Sequence, residues 1–395
     1  MRRPMQRRLV WSTARGCAQA VLAGLGLLGL VWLPTPAAAA TPLAHEAPAP
    51  ALGTLERVAA LDINPGNITL APDGRVFVTV HQFRREPVQL IEVTGERAYR
   101  AWPDAIRADS DWNGAFGRGG DTFNSLLGVQ TDRAGRLWVL DNGLGPTPQP
   151  PKLLAFDLGD GALVERVTFD EAIAPPGSFL NDLAVDAARG MIYIADLGGD
   201  AGAPGLVVVD LDGNRARRFS GHPALQAEDI DLRVEGAVLT FGAEGPPVRV
   251  GVNPITLSAD GQTLYFGAMN GTVWYAVATL LLRDWASDAV IAEGIRAVGP
   301  KPPSDGAATD RHGNHYFTAV ERNAIMRLTP TGALETIVED PAMLWPDALA
   351  FGPEGWLYIA VNQLHRSPPI AGAEQGAPPY PIFRVWVDRP GVVGR

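Results

Sequence analysis

The sequence predicts an all-β fold, a six-bladed β-propeller with four-stranded blades and a central channel. Three observations carry this. A unit of apolar strand, tight glycine turn and second apolar strand recurs six times, at residues 66–80, 126–141, 181–196, 253–267, 304–319 and 346–360. Further short β segments separate the copies, among them 88–94, 152–157, 206–210, 325–329 and 382–388. Helical periodicity is weak throughout, with 278–285 as the best candidate.

Taken in chain order, the first element is not part of the propeller. Arg2, Arg3, Arg7, Arg8 and Arg15 precede an apolar run from Val21 to Leu33, followed by small residues from Ala37 to Ala40. That order reads as a cleaved signal peptide over 1–40. Its 13-residue apolar run is shorter than the roughly 20 residues that span a bilayer, so no stable membrane insertion is expected after cleavage. Arg7 and Arg8 also suit twin-arginine export, and either route makes the protein secreted or periplasmic. Residues 41–53 form an Ala- and Pro-rich flexible segment, 54–388 the propeller and 389–395 a tail.

Within the propeller each copy reads as an antiparallel hairpin. The turn glycines are Gly74, Gly135, Gly190, Gly261, Gly313 and Gly355, residues suited to the positive φ that tight hairpins require. Six hairpins with intervening strands give six four-stranded sheets repeated radially. The segment Leu55–Leu61 is expected to close the ring as the outer strand of the blade begun by Pro346.

Charge and cysteine content narrow the partners. The chain has 33 basic and 43 acidic side chains; without residues 1–40 the balance is 28 to 43, a formal charge of −15. Phosphate backbones need clustered Lys and Arg, so nucleic acid is not an expected partner. The single cysteine, Cys17, lies in the leader, which excludes disulfides, a thiol nucleophile and Cys-liganded metal from the mature chain. A small-molecule ligand is the expected partner.

The first strand of each blade lines the channel. Counting back eight positions from each turn glycine gives Gly66, Leu127, Asp182, Asn253, Asp305 and Asp347. Asp and Asn also favour strand caps, but converging carboxylates repel and raise one another's pKa unless a cation sits among them. Asn67, Asn124 and Asn181 flank the same mouth, completing a ligand-binding set with Asp182, Asn253, Asp305 and Asp347. Carboxylate and amide oxygens suit Ca²⁺ or Mg²⁺, with Asp182, Asn253 and Asp305 as metal ligands, or an organic ammonium.

The second strands end in His81, Asp141, Asp196, Glu321 and Asn362, read as loop caps or as groups supporting the site. Of the six histidines, His81 and His365 fall near the mouth in neighbouring blades, where they could form an acid/base pair. Asp305, Asp182, His81 and His365 are therefore the catalytic candidates. Two long inserts, 102–124 with Arg107, Trp112, Phe116 and Arg118, and 221–251 with His222, read as rims over the pocket.

The motifs WPDALAF (345–351), GWLYIAVNQLHR (355–366), SDGAATD (304–310) and FLNDLAVD (179–186) resemble the major royal jelly/yellow protein family over most of 54–388. The resemblance implies a secreted six-bladed propeller with a central ligand pocket, in a family that includes binders of biogenic amines and proteins linked to dopachrome conversion. A more distant resemblance runs to the senescence-marker/gluconolactonase propellers, in which a Glu, two Asn and an Asp at blade starts hold a divalent cation. Asn253 and Asp305 match two of those positions and Asp182 replaces another, whereas Asn67 stands where the Glu would be. Ligand binding, metal-dependent lactone hydrolysis or dopachrome-type isomerisation, and a non-catalytic interaction scaffold all follow as readings.

Overall fold

The computed structural model describes residues 49–84, 86, 88–103, 115–116, 121–145, 148–198 and 203–395, with backbone alone for 115–116 and 121–122. The leader with Cys17, the segment to 48 with His45, and Arg107, Trp112 and Arg118 of the first insert lie outside the described residues, as does the side chain of Phe116.

Six four-stranded antiparallel sheets form the propeller. The innermost strands are Pro65–Leu70, Leu126–Thr131, Leu180–Asp186, Val252–Leu257, Ser304–Thr309 and Pro346–Phe351. Each pairs with the strand that follows its glycine turn, so all six sequence repeats are the inner hairpins of blades 1 to 6. The six turn glycines have φ between +61° and +88°, a region open to Gly without a Cβ penalty.

Blade 6 is built from both ends of the propeller sequence. Leu55–Leu61 pairs with Tyr380–Trp386, outside Trp356–Val361 and Pro346–Phe351. The ring is thus closed by backbone hydrogen bonds between its first and last strands. The weak helical signal proves real but short: Thr279–Arg283 and Asp288–Gly294 pack on the blade 4 strand Val273–Ala278. Among the described residues no helix is long and apolar enough to cross a membrane.

The core lies between adjacent blades. Trp138, Leu153 and Phe169 of blade 2 meet Leu183, Ile192, Ile194 and Val207 of blade 3 in one buried cluster. Each such apolar side chain contributes about 1.5–3 kcal/mol when fully buried. Polar groups at the far-face turns are satisfied locally. Asp132 accepts from the Trp138 indole at 2.8 Å and from Arg136 at 2.7 Å, and Asp310 accepts from Asn314 and from the Tyr316 hydroxyl.

One irregularity repeats in every blade and positions the site. The register of the inner hairpin slips between Pro65 and Ile68, Leu126 and Val129, Leu180 and Leu183, Val252 and Ile255, Ser304 and Ala307, and Pro346 and Leu349. A bulge re-aims the side chains it releases from the ladder. The residues inside these six slips are 66–67, 127–128, 181–182, 253–254, 305–306 and 347–348, the register singled out in the sequence.

Candidate functional site

The bulges bring the expected carboxylates and amides together at the channel axis. Asn67 Nδ2 donates to Asp182 Oδ1 at 2.6 Å, and Asn253 Nδ2 to Asp305 Oδ1 at 2.6 Å. Asn181 Nδ2 donates to Asn253 Oδ1, and Asn362 Nδ2 to Asp347 Oδ2. Close approach of the inner strands is enforced by small residues; a Cβ on Gly306 would lie 2.4 Å from the Asp347 carbonyl oxygen.

The charge arrangement is unusual. Asp305 and Asp347 are buried, and among the described residues their hydrogen-bond donors are the neutral amides of Asn253 and Asn362 and the indole of Trp345. Burial pushes Asp305 up to about 6, against the opposing pull of the Trp345 and Asn253 hydrogen bonds. Burial also holds Asp347 well above the usual carboxylate range, with the Asp305 and Asp182 charges adding to it. Asp182 is raised for the same reasons, burial first and Asp305 second.

Asp305 and Asp347 floor a cavity of about 640 Å³. Its walls are mostly apolar, with Phe83, Leu127, Phe179, Met269, Trp345 and Leu364 prominent. Asn181 and Asn253 share the floor, and the buried Oδ1 of Asn181 has no protein partner. The 221–251 insert supplies one rim, through Leu239, Phe241, Val248 and Arg249 among others, as expected of it. Phe241, 47 % exposed, and Leu144, 40 % exposed, present apolar surface at the opening.

His81 lines the same cavity but is not paired with His365. Its Nδ1 accepts the Phe83 N–H at 3.3 Å, which assigns the ring proton to Nε2. Burial, with the Arg84 charge adding to it, pushes His81 down to about 3, so the ring is neutral at physiological pH. His365 instead stacks on Trp345, with centroids 5.9 Å apart and planes 20° apart, and bonds Glu235 at 2.9 Å through Nε2. The expected acid/base pair is replaced by two separate histidines because the 3-10 turn Leu364–Arg366 directs His365 toward the insert.

Asn124 also stands apart. It accepts from Lys152 Nζ at 3.0 Å, beside the Lys152–Asp141 ion pair of 3.2 Å, in the crossover into blade 2. Asp141 accepts the N–H groups of Asn124, Ser125 and Gly143, and Asp196 those of Phe179 and Gly198. These two are loop caps. Glu321 likewise accepts the Arg233 N–H at 2.7 Å.

Sequence reasoning missed Trp345 as part of the floor. The residue sits at φ +63°, rare for a bulky side chain, and donates its indole N–H to Asp305 Oδ2 at 2.7 Å. The signal was available: WPD sets an indole immediately before the bulge, and NQLHR supplies Asn362 to Asp347 and His365 to the outer face of Trp345. The motif that carries the family resemblance is therefore the framework of the pocket floor.

The family model for the major royal jelly proteins matches residues 124–367, more than half of the chain. The chain belongs to the major royal jelly protein family. This royal jelly propeller is 28% identical to protein yellow of Drosophila melanogaster over 272 residues, 64% of this chain and 48% of that protein. The match to protein yellow of Drosophila subobscura is also 28%, over 46% of its length. The propeller thus spans about half the length of the curated relatives it matches. Among solved structures it is similar in fold to a luciferin-regenerating enzyme (TM-score 0.54, 12% identity, 86% of this chain and 98% of that one). It is also similar to a calcium-binding protein, regucalcin, from Agrobacterium tumefaciens (TM-score 0.50, 15% identity, 86% and 95%).

A divalent ion fits this royal jelly site only in part. The oxygens are of the kind Ca²⁺ or Mg²⁺ takes. Among the described residues, however, no three His, Cys, Asp or Glu side chains are grouped so as to hold one metal ion. Asn253 already uses both ends of its amide within the floor.

Proposed function

We propose that the protein binds a small organic cation, its ammonium seated over Asp305 and Asp347 and its apolar body against the walls of the cavity. One observation carries this reading: buried carboxylates at the foot of an apolar cavity, hydrogen-bonded by the neutral donors of Asn253, Trp345 and Asn362. Such a group is penalised as an anion by burial and mutual repulsion. A bound cation removes that penalty, whereas an anionic or neutral isostere does not. Asp182, deeper in the channel, adds to the negative potential; Asn67 holds Asp182 and Asn253 holds Asp305, with Asn181 bonded behind Asn253. Residues 1–40 would deliver the protein to the periplasm or exterior, where such solutes are met.

A second reading, proton-transfer catalysis of a lactone hydrolase or dopachrome-type isomerase kind, is favoured by one pair of facts. Asp305, raised to about 6, and neutral His81 line one cavity. A carboxyl near neutrality can carry the proton in such a step, and the Nε2–H of a neutral imidazole can donate a hydrogen bond to a developing oxyanion. In that reading Asp182, Asn253 and Asp305 would hold Ca²⁺ or Mg²⁺ only with Asn253 giving up its Asn181 bond, and the ion would supply Lewis-acid polarisation of a carbonyl.

The test compares phenethylamine, 2-phenylethanol, phenylacetate, CaCl₂ and MgCl₂ by thermal shift and calorimetry. A ligand at a hundredfold excess over Kd stabilises by about 2.7 kcal/mol. Phenethylamine is expected to raise Tm and to lose its effect in Asp305→Asn and Asp347→Asn. Equal responses to phenylacetate would overturn the cation reading, and a response to the metals alone would favour the second.

A further inference from the structure

Residues 390–395 belong to none of the propeller strands, yet they touch all six blades. In blade 1 the Thr69 hydroxyl donates to the Gly394 carbonyl at 2.8 Å. In blade 2 Thr131 packs so tightly on Gly394 that an added Cβ would lie 2.1 Å from its Oγ1. Arg395 reaches blades 3 and 4, donating to the Val185 carbonyl at 2.7 Å and the Ser258 carbonyl at 3.3 Å. In blade 5 Arg311 donates its N–H to Pro390 at 3.1 Å and its Nε to Gly391 at 3.0 Å. In blade 6 Phe351 exchanges two backbone bonds with the segment, its N–H to Arg395 and its carbonyl to Gly394.

The placement is axial. A void of about 30 Å³ on the channel axis is walled by inner-strand residues of all six blades, Val129 among them, with Asn67 and Asp182 on one side and Gly394 and Arg395 on the other. That is room for about a single water molecule. We propose that Pro390–Arg395 is a plug that shuts the far end of the channel beneath Asp182, so that solutes reach the carboxylates only from the cavity side.

Two features mark a fitted closure. Gly391 lies against the Phe351 ring, where a Cβ would come within 2.0 Å, and Gly394 adopts φ +86°. A side chain at either position would force the segment or the groups packed on it to shift. Arg395 meanwhile spends its guanidinium on carbonyl oxygens of two blades, which ties the end of the plug to the ring. Beside it lies a groove of about 490 Å³ lined by Arg133, Arg189, Val392 and Val393, so one flank of the segment faces open space and not a blade strand. The plug is independent of what the cavity binds.

The test uses single cysteines in the full chain carrying Cys17→Ser. Val129→Cys, on the axial void, is treated with methyl methanethiosulfonate and followed by intact mass. With the plug in place the reaction is expected to be slow. Adding Gly394→Val, or a stop after Arg389, is expected to speed it at least tenfold, while Val207→Cys in the blade 3 core stays unreactive in both backgrounds. Should those variants fail to fold, Arg395→Ala, which loses only the two carbonyl bonds, is expected to give a several-fold rise. Unchanged labelling of Val129→Cys in a folded variant, or equal acceleration at Val207→Cys, would overturn the proposal.

Discussion

The indole of Trp345 and the carboxylate of Asp305, 2.7 Å apart, join the last blade to the fifth across the floor of the cavity. Trp345 is held from behind by His365, and His365 by Glu235 of the 221–251 insert. A rim residue is thereby connected through stacking and hydrogen bonding to a carboxylate of the cavity floor. The indole also moderates that carboxylate, since its hydrogen bond opposes the upward push of burial.

Trp345→Phe therefore has two expected effects. It removes one donor from a buried carboxylate, which costs about 1–3 kcal/mol, and it lets Asp305 titrate higher than about 6. Phenylalanine keeps the stack on His365, so the rim should remain in place. Chemical denaturation measures the first effect. The pH profile of phenethylamine binding measures the second, with its midpoint moving to higher pH; an unmoved midpoint would show that the bond is structurally incidental.

The pH dependence of stability has a definite sign at Asp305. Its folded value, about 6, lies above the unfolded 3.8. Its contribution is thus fully present below about pH 4 and is lost as pH rises through 6, on the order of 3 kcal/mol in all. His81 at about 3 and His315 at about 4 act oppositely, because burial lowers them from 6.5 and their stabilisation is lost on acidification. The wild-type curve mixes these terms. The difference between Asp305→Asn and wild type isolates the carboxylate, and the variant is expected to gain relative stability between pH 4 and 7 in urea unfolding. A pH-independent difference would remove the electrostatic account.

Asp310 separates fold from site. It is buried at the far-face turn of blade 5 and accepts from the N–H groups of His312 at 2.7 Å and Asn314 at 3.0 Å, from Asn314 Nδ2 at 2.7 Å and from the Tyr316 hydroxyl at 3.1 Å. Asp310→Ala leaves several of these donors unpaired and is expected to cost roughly 2–4 kcal/mol. Ligand affinity of the protein that remains folded should not change. Calorimetric titration at low temperature decides whether the two effects part.

The ring was legible because propeller repetition writes one pattern six times, and each copy carries a glycine that its turn requires. Counting back from those glycines also found the bulge register, so Asp182, Asn253, Asp305 and Asp347 emerged as a set. Reading failed where position depends on a crossover instead of a strand. Asn124 precedes its strand by two residues and is captured by Lys152, and His365 lies in a turn that faces an insert 130 residues earlier in the chain. Trp345 is a different case: WPD sets its indole beside the bulge, but only the positive φ of the folded backbone turns that indole onto a carboxylate of the neighbouring blade.

The cavity rim makes the last prediction. Arg249 lines the opening and its Nη2 lies 3.1 Å from Asp229 and 2.7 Å from Asp231. Its charge is therefore offset at the point where a cation must pass. The insert as a whole, residues 221–251, carries five acidic and two basic side chains, which favours the approach of cations at low salt. Arg249→Gln is expected to raise the association rate of phenethylamine, and Asp229→Asn with Asp231→Asn to lower it by leaving the guanidinium uncompensated. Both effects should shrink between 20 and 500 mM NaCl, where the Debye length falls from about 20 Å to about 4 Å. Dissociation, set by the buried floor, should change little. Stopped-flow tryptophan fluorescence against ligand concentration, with Trp345→Phe as the control for the floor signal, separates the two rates, and a rim effect confined to dissociation would show that Arg249 acts on the bound ligand and not on its entry.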